Sequence, residues 1–349
     1  MNTKKINKSY EKCNSCGGNL KYSPQDFSLK CTKCGALEKI ETTKTFQKHN
    51  YFKNSENAEE YKKFKTSQKA FECASCGAKV VLGNLEISAT CPYCHSSFAI
   101  ENTEKIGLVP DAILPFTYSN EQAGLLYKQN IKKKWFLPNK IKKNVPTENI
   151  FGIYVPSFSF DQKTYSAYEG VLEEDYEDSD GETHTRSFSI GGNHNADFYD
   201  VLVETSSHIN LKEFEQIKPY DLSKIVDYKS QFILGYSVEH YADALNDCKK
   251  IGDELIDGYI KNQILSNYSY DRVRWLKINT LRTEEKYAYY VLPVYKLDIN
   301  HKNKIYSTYM NGQTAKLGGK FPRSALKITS LVLAIVSVIL AFVLWGVLS

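Results

Sequence analysis

The spacing of apolar residues divides the chain into three stretches. In the first hundred residues they are sparse and interrupted by paired cysteines, from about 107 to 320 they gather into short runs separated by turns, and the end is one unbroken apolar run. Ala112 to Phe116 reads as a strand. The segment SNEQAGLLYKQNIKKK opens with the N-cap residues Ser119 and Asn120 and closes in lysines, which suits the two ends of a helix. Four aromatic-rich runs follow (IFGIYVPSFSF, KTYSAYEGVLEEDY, THTRSFSI and DFYDVLVETS), and Asp180-Gly181 between two of them is a hairpin signal. A long helix is predicted over Val238 to Leu265, where Tyr241, Leu245, Cys248, Gly252, Leu255 and Tyr259 recur at alternating four and three residues as a core stripe. KYAYYVLPVYKLDI and KIYSTYMNGQTAKL then pair around HKNK as a second hairpin. Val155 to Asp161 and Leu292 to Asp298 echo one another weakly, as though the middle region held two related halves.

The first hundred residues contain an internal repeat. At an offset of 60, Cys13, Cys16, Cys31 and Cys34 fall on Cys73, Cys76, Cys91 and Cys94. Each copy reads Cys-x2-Cys-x14-Cys-x2-Cys, the spacing by which two knuckles at the ends of a small hairpin bring four sulfurs to the corners of a tetrahedron about 2.3 Å from zinc. Gly17, Gly35 and Gly77 follow knuckle cysteines, where the turn needs positive φ; His95 takes the fourth such place. Two structural Zn2+ sites are therefore expected. Redox CxxC pairs stand at a helix start within a βαβ unit, which the pattern here lacks. A closed tetrathiolate leaves no coordination position for water, so the metal folds the module and catalyses nothing. Residues 42 to 70 between the copies are polar and Lys-rich, with Ser55 or Asn57 as the cap of a short solvated helix.

The terminal run, Ile328 to Leu348, has 21 residues with no charge and no proline. As a helix it would extend about 31 Å, close to the apolar thickness of a bilayer. Lys316, Lys320, Arg323 and Lys327 precede it, and little follows, so the expected arrangement is a single-pass tail anchor in the cell membrane with the N-terminal domain cytoplasmic. The expected fold class is α+β: zinc ribbon 1 over 1–41, a polar spacer over 42–70, zinc ribbon 2 over 71–105, an α+β domain with hairpins and one long helix over 106–322, and a C-terminal transmembrane helix within 323–349.

Composition adds limits. The chain has 349 residues, 42% hydrophobic and 24% charged, which excludes a mainly disordered protein. Its formal charge of +5 suggests nucleic acid until the metal is counted. Residues 1–105 hold 17 Lys against 11 Asp plus Glu, 17 − 11 = +6. Each zinc tetrathiolate carries −2, so two of them lower the segment to +2 and the chain to +1. A nucleic-acid surface built from Lys44, Lys48, Lys53, Lys62, Lys63, Lys65 and Lys69 with Tyr51, Phe52 and Tyr61 stays open as the alternative.

Enzyme frames fail. EEDYEDSDGETH places Tyr176 and Ser187 where a calcium loop needs its first and last carboxylates, so it reads as an exposed hairpin tip. NGQTAKLGGK has Thr314 where a phosphate loop needs glycine. His184 and His194 have no nucleophile in a recognisable frame, and Cys248 reads as a small core residue. No small-molecule substrate is expected.

The two ribbons, ILPF at Ile113 to Phe116, IYVPSFSF at Ile153 to Phe160, LPVYKL at Leu292 to Leu297 and MNGQTAKLGGKFP before the tail together resemble a group of bacterial double zinc-ribbon membrane proteins, often labelled transcription factor IIB-type zinc ribbons or primosomal replication proteins. Phe158 and Tyr295 stand where those relatives often have Trp. The resemblance implies a non-catalytic membrane-anchored adaptor, with phage-shock-type or SPFH/flotillin-like proteins as partners.

Overall fold

A computed structural model describes residues 4–5, 12–51, 69–72, 79–82, 86–90, 97–99, 110–206, 209–239 and 245–348, with side chains in the final helix as far as Ala341 and at Leu344. In chain order the elements are β1 (Leu20–Ser23), β2 (Ser28–Cys31), β3 (Leu37–Lys39), β4 (His49–Asn50), β5 (Lys69–Glu72), β6 (Lys79–Leu82), β7 (Glu86–Thr90), β8 (Ser97–Ala99) and β9 (Ala112–Ile113). Then come α1 (Asn120–Lys132), α2 (Asn139–Lys143), β10 (Phe151–Glu177), β11 (Thr183–Glu204), α3 (Leu211–Ile217), β12 (Val226–Asp227) and β13 (Ser237–Glu239). The chain closes with α4 (Leu245–Leu265), β14 (Arg272–His301), β15 (Lys304–Asn311), β16 (Leu317–Gly319) and α5 (Ala325–Leu348).

Among the described residues the fold is mostly β, with 42% strand and 28% helix, and this corrects the α+β expectation. β10, β11 and β14 have 27, 22 and 30 residues, several times an ordinary strand, and run antiparallel side by side at the centre of an eleven-stranded sheet. Sequence runs that look like separate short strands are continuous pieces of these three. The reason lies at Asp161, where register shifts interrupt both ladders of β10 without ending them. Asp200 and Glu284, on the neighbouring strands at the same level, take positive φ of 54° and 50°. The strands bend there and continue, and the burial pattern changes with the bend. Residues 152–160 of β10 are all buried, whereas from Asp161 onward buried and exposed positions alternate.

Both faces of the proximal sheet are covered, which explains the continuous apolar runs VPSFSF and YAYYVLPVY. Tyr154, Phe158 and Phe160 with Tyr289, Val291 and Tyr295 point to one side, under α1 and the first ribbon. Ile153 and Val155 with Ala288, Tyr290, Leu292 and Val294 point to the other, under Phe214 and Ile217 of α3. The two echoing segments lie on adjacent strands, with Val155 opposite Leu292. Beyond the bend one face is covered by α4, whose Ile256, Ile260 and Ile264 meet Phe198 and Val201. The core stripe of α4 therefore runs through Gly252 and these three isoleucines, while Tyr259 is largely exposed. Gly252 is fixed by the Phe160 ring, which would lie 2.9 Å from a Cβ at that position. Tyr241 lies outside the described residues.

Several local readings hold. Ser119 caps α1 in a reciprocal capping box with Gln122. The Asp180-Gly181 hairpin pairs Glu177 with Thr183, and Lys302 and Asn303 turn the second hairpin at φ 52° and 59°. Cys248 is fully buried in the core.

The C-terminal expectation does not hold. Among the described residues no helix is long and apolar enough to cross a membrane, so the transmembrane helix, the tail anchor, the single-pass membrane localisation and the membrane as a partner are not supported. The base of α5 is instead fastened to the body. Lys327 Nζ donates to the carbonyls of Trp135 and Leu137 at 3.0 and 2.9 Å and to Asn139 Oδ1 at 2.7 Å, and Ser324 N donates to Phe136 O at 2.8 Å. The phage-shock-type and SPFH/flotillin-like partners that the resemblance implies are not shown either.

Candidate metal centre

β1 and β2 pair antiparallel from Leu20–Cys31 to Ser23–Ser28, and β3 adds to β2, forming the three-stranded ribbon that the cysteine spacing demands. Cys13 and Cys16 lie on the knuckle before β1; Cys31 and Cys34 lie on the knuckle that ends β2. Each knuckle closes through a backbone bond, Gly17 N to Cys13 O at 2.8 Å and Gly35 N to Cys31 O at 3.1 Å, with both glycines in the left-handed region at φ 67° and 75°. Gly18 is a third requirement that the motif does not reveal. A Cβ there would stand 2.9 Å from Lys33 Cβ and 3.0 Å from the Cys31 sulfur.

The four Sγ atoms all lie within 4.8 Å of one another, with Cys13–Cys34 at 3.6 Å and Cys16–Cys31 at 3.5 Å. A zinc tetrathiolate with bonds of about 2.3 Å has sulfur–sulfur edges of about 3.8 Å, so a metal ion fits this donor set after a small adjustment. The backbone N–H groups of Cys34 and Lys33 approach the Cys31 sulfur at 3.5 and 3.4 Å, and these contacts lower the Cys31 thiol to about 6. N–H groups directed at sulfur favour the thiolate, the form that binds metal. Cys73, Cys76, Cys91 and Cys94 lie outside the described residues. Around them β5 pairs with β6 and β7 with β8, and β7 meets β13 at Ser88–Val238, which carries that hairpin onto the main sheet.

The first ribbon shares the core of the body. Cys13, Leu20, Tyr22, Leu29, Cys31 and Ile40 belong to the same buried cluster as Phe116, Tyr154 and Phe232. Tyr22 N donates to Leu234 O at 2.9 Å, and its ring meets Phe232 at 5.2 Å nearly edge-on. The exit chain is held as firmly. Asp227 accepts from the Thr43 and Thr45 hydroxyls at 2.5 and 2.6 Å and from the Thr45 and Phe46 amides at 2.8 and 2.9 Å, which holds its carboxyl far below the ordinary range. Lys48 Nζ bridges the two bulge residues Asp161 and Asp200 at 2.5 and 2.6 Å.

These contacts bear on the nucleic-acid surface. Lys44 Nζ donates to the carbonyls of Leu222 and Ser223. Lys48 is ion-paired at the bulge, and Tyr51 donates to Asn246 beneath the Lys249 ammonium. Lys69 lies in β5, and the remaining residues of that surface, Lys53, Lys62, Lys63, Lys65, Phe52 and Tyr61, with the caps Ser55 and Asn57, lie outside the described residues.

A second donor group, Asp178, Glu182 and His184, sits at the tip of the β10–β11 hairpin, with His184 Nε2 2.6 Å from Asp178 Oδ2. Asp178 Oδ1 already accepts from the backbone of Asp180 and Glu182 at 3.0 Å each, so this carboxylate organises the turn. His194 contacts Gln263 at 2.9 Å.

No family model matches the chain, and no solved structure matches it. It is similar to the uncharacterized protein YdjG of Bacillus subtilis (strain 168), 25% identical over 324 residues, which cover 91% of this chain and 92% of that protein.

Proposed function

We propose that the chain is a non-catalytic zinc-ribbon scaffold of the double-ribbon type, in which structural zinc holds a recognition surface on a rigid β body. The observation that carries this reading is the closed sulfur set of Cys13, Cys16, Cys31 and Cys34: four protein donors fill a tetrahedral metal and leave no position for water or substrate. The ribbon buries its inner face in the body core, so its outer face is what a protein partner meets. On that face Leu37 of β3 is 53% exposed, an apolar side chain held in water on a rigid strand.

The test places a photo-cross-linking residue at Leu37 in the zinc-loaded full chain in its native cell extract. A discrete protein adduct that disappears after chelation supports the scaffold reading. No adduct, or an adduct indifferent to chelation, contradicts it. Retention of single-stranded oligonucleotide that falls steeply with salt would favour nucleic-acid binding instead.

A further inference from the structure

The segment before α5, Gly319 to Arg323, forms one wall of a cavity of about 510 Å³ that the metal centre does not use. The opposite wall is the turn after α1. Lys134, Lys320 and Arg323 supply three cations to it, and Trp135, Phe136 and Phe321 supply aromatic surface. No acidic side chain lines it. Lys320 has Glu213 at 3.4 Å, Lys134 lies 4.9 Å over the Phe321 ring, and Arg323 has no ion-pair partner among the described residues. Trp135 and Phe136 stand at 4.9 Å, nearly perpendicular, and are 53% and 40% exposed.

The cavity is held in shape before any ligand arrives. The bonds from Lys327 and Ser324 to the Trp135, Phe136 and Leu137 carbonyls fasten one wall to the other. Gly319 turns the wall before α5 at φ +98°, where a Cβ would stand 2.7 Å from the Ser307 carbonyl oxygen. A concave site lined by one sign of charge concentrates counter-ions, and adjacent rings add an apolar or flat surface. Arg offers the forked donors that fit a phosphate.

We propose that this cavity binds an organic phosphate monoester, its phosphate at Lys320 and Arg323 and its apolar or planar body on Trp135 and Phe136. The reading is independent of the metal centre. Calorimetric titration of the full chain with phenyl phosphate tests it, with inorganic phosphate and benzyl alcohol as partial ligands. Phenyl phosphate should bind more tightly than either, with affinity falling about fivefold or more between 50 and 300 mM salt. Lys320→Ala and Arg323→Ala should each weaken it about five- to twentyfold, as loss of a charge-assisted bond requires, while Lys250→Ala leaves it unchanged. The salt titration uses unaltered protein and stands even if a variant misfolds. A nucleoside monophosphate and monomeric dihexanoyl phosphatidic acid, used as competitors, distinguish a soluble ester from a lipid headgroup by which displaces phenyl phosphate at lower concentration. No saturable binding, binding indifferent to salt and to both variants, or failure of both competitors would overturn the proposal.

Discussion

At the scale of single residues, the ribbon depends on atoms too close for substitution. Cys16 and Cys31 are 3.5 Å apart, and Gly18 packs against both sulfurs. Cys16→Ser removes one of four donors from a site whose binding energy is folding energy, so zinc content should fall by one per chain, measured by metal analysis of the purified protein. Gly18→Ala keeps every sulfur but pushes a methyl into the metal site, and should lower zinc affinity at least tenfold in a chelator competition. Asp227 supplies a pH-dependent tie. Its carboxyl titrates lower in the folded chain than in the unfolded one, so its contribution is complete above the unfolded value near 4 and is lost as pH falls through the folded value. Asp227→Asn should therefore lower Tm by about 1–3 °C at pH 7, a modest effect for a group that is only half-buried, with the difference from wild type shrinking below about pH 4. The motif spacing in the sequence was enough to bring Cys13, Cys16, Cys31 and Cys34 together as a possible metal-binding cluster and to place Gly17 and Gly35 at the knuckle turns. Gly18 and Asp227 were not legible because their roles come from what folds against them.

At the scale of elements, the central strands are shaped by charge as well as by apolar burial. Lys249 of α4 has a side chain only 4% exposed, with Asp253 at 2.6 Å, Glu285 at 2.5 Å and Gln162 Oε1 at 3.0 Å. Arg282 meets Asp253 and Asp257 at 3.2 and 2.6 Å, so α4 is joined by ion pairs to β14 just where the strands bend. Lys249→Ala leaves Glu285 without its cation and Asp253 with Arg282 alone, and should cost about 3 kcal/mol in a denaturant unfolding curve. The start of α1 and both hairpins were readable because caps and turns are local chemistry, whereas Val238, expected to begin the long helix, lies in β13. Strand length was not, because Asp161, Asp200 and Glu284 look in sequence like breaks, whereas at one level on three adjacent strands they are a bend that the ladder survives. The stripe of α4 held at Leu245, Cys248 and Gly252 and failed only at its end: Tyr259 fits the periodicity, but the strands present their apolar face to Ile256 and Ile260.

At the scale of the whole molecule, the ribbon and the sheet share one packed core through Tyr22, Phe232 and Phe116, a joint that the cysteine pattern cannot foretell because it depends on rings more than 90 residues away. Phe232 is fully buried against Tyr22 and Phe27, and Phe232→Ala should cost about 3–5 kcal/mol. That loss should appear as weaker zinc retention as well as a lower unfolding midpoint, since both follow from the shared core. The apolar terminal run was the least transferable part of the sequence reading. Counting residues treated it as an isolated span, whereas Lys327 and Ser324 begin the helix as part of the body.

The most direct test of this coupling is hydrogen exchange of the full chain before and after zinc removal. If zinc holds the ribbon as part of the body core, chelation should deprotect residues 12–40 together with Leu234–Glu239 and Ile113–Phe116, which pack against it. Loss of protection confined to residues 12–40, or no change at all, would contradict the account.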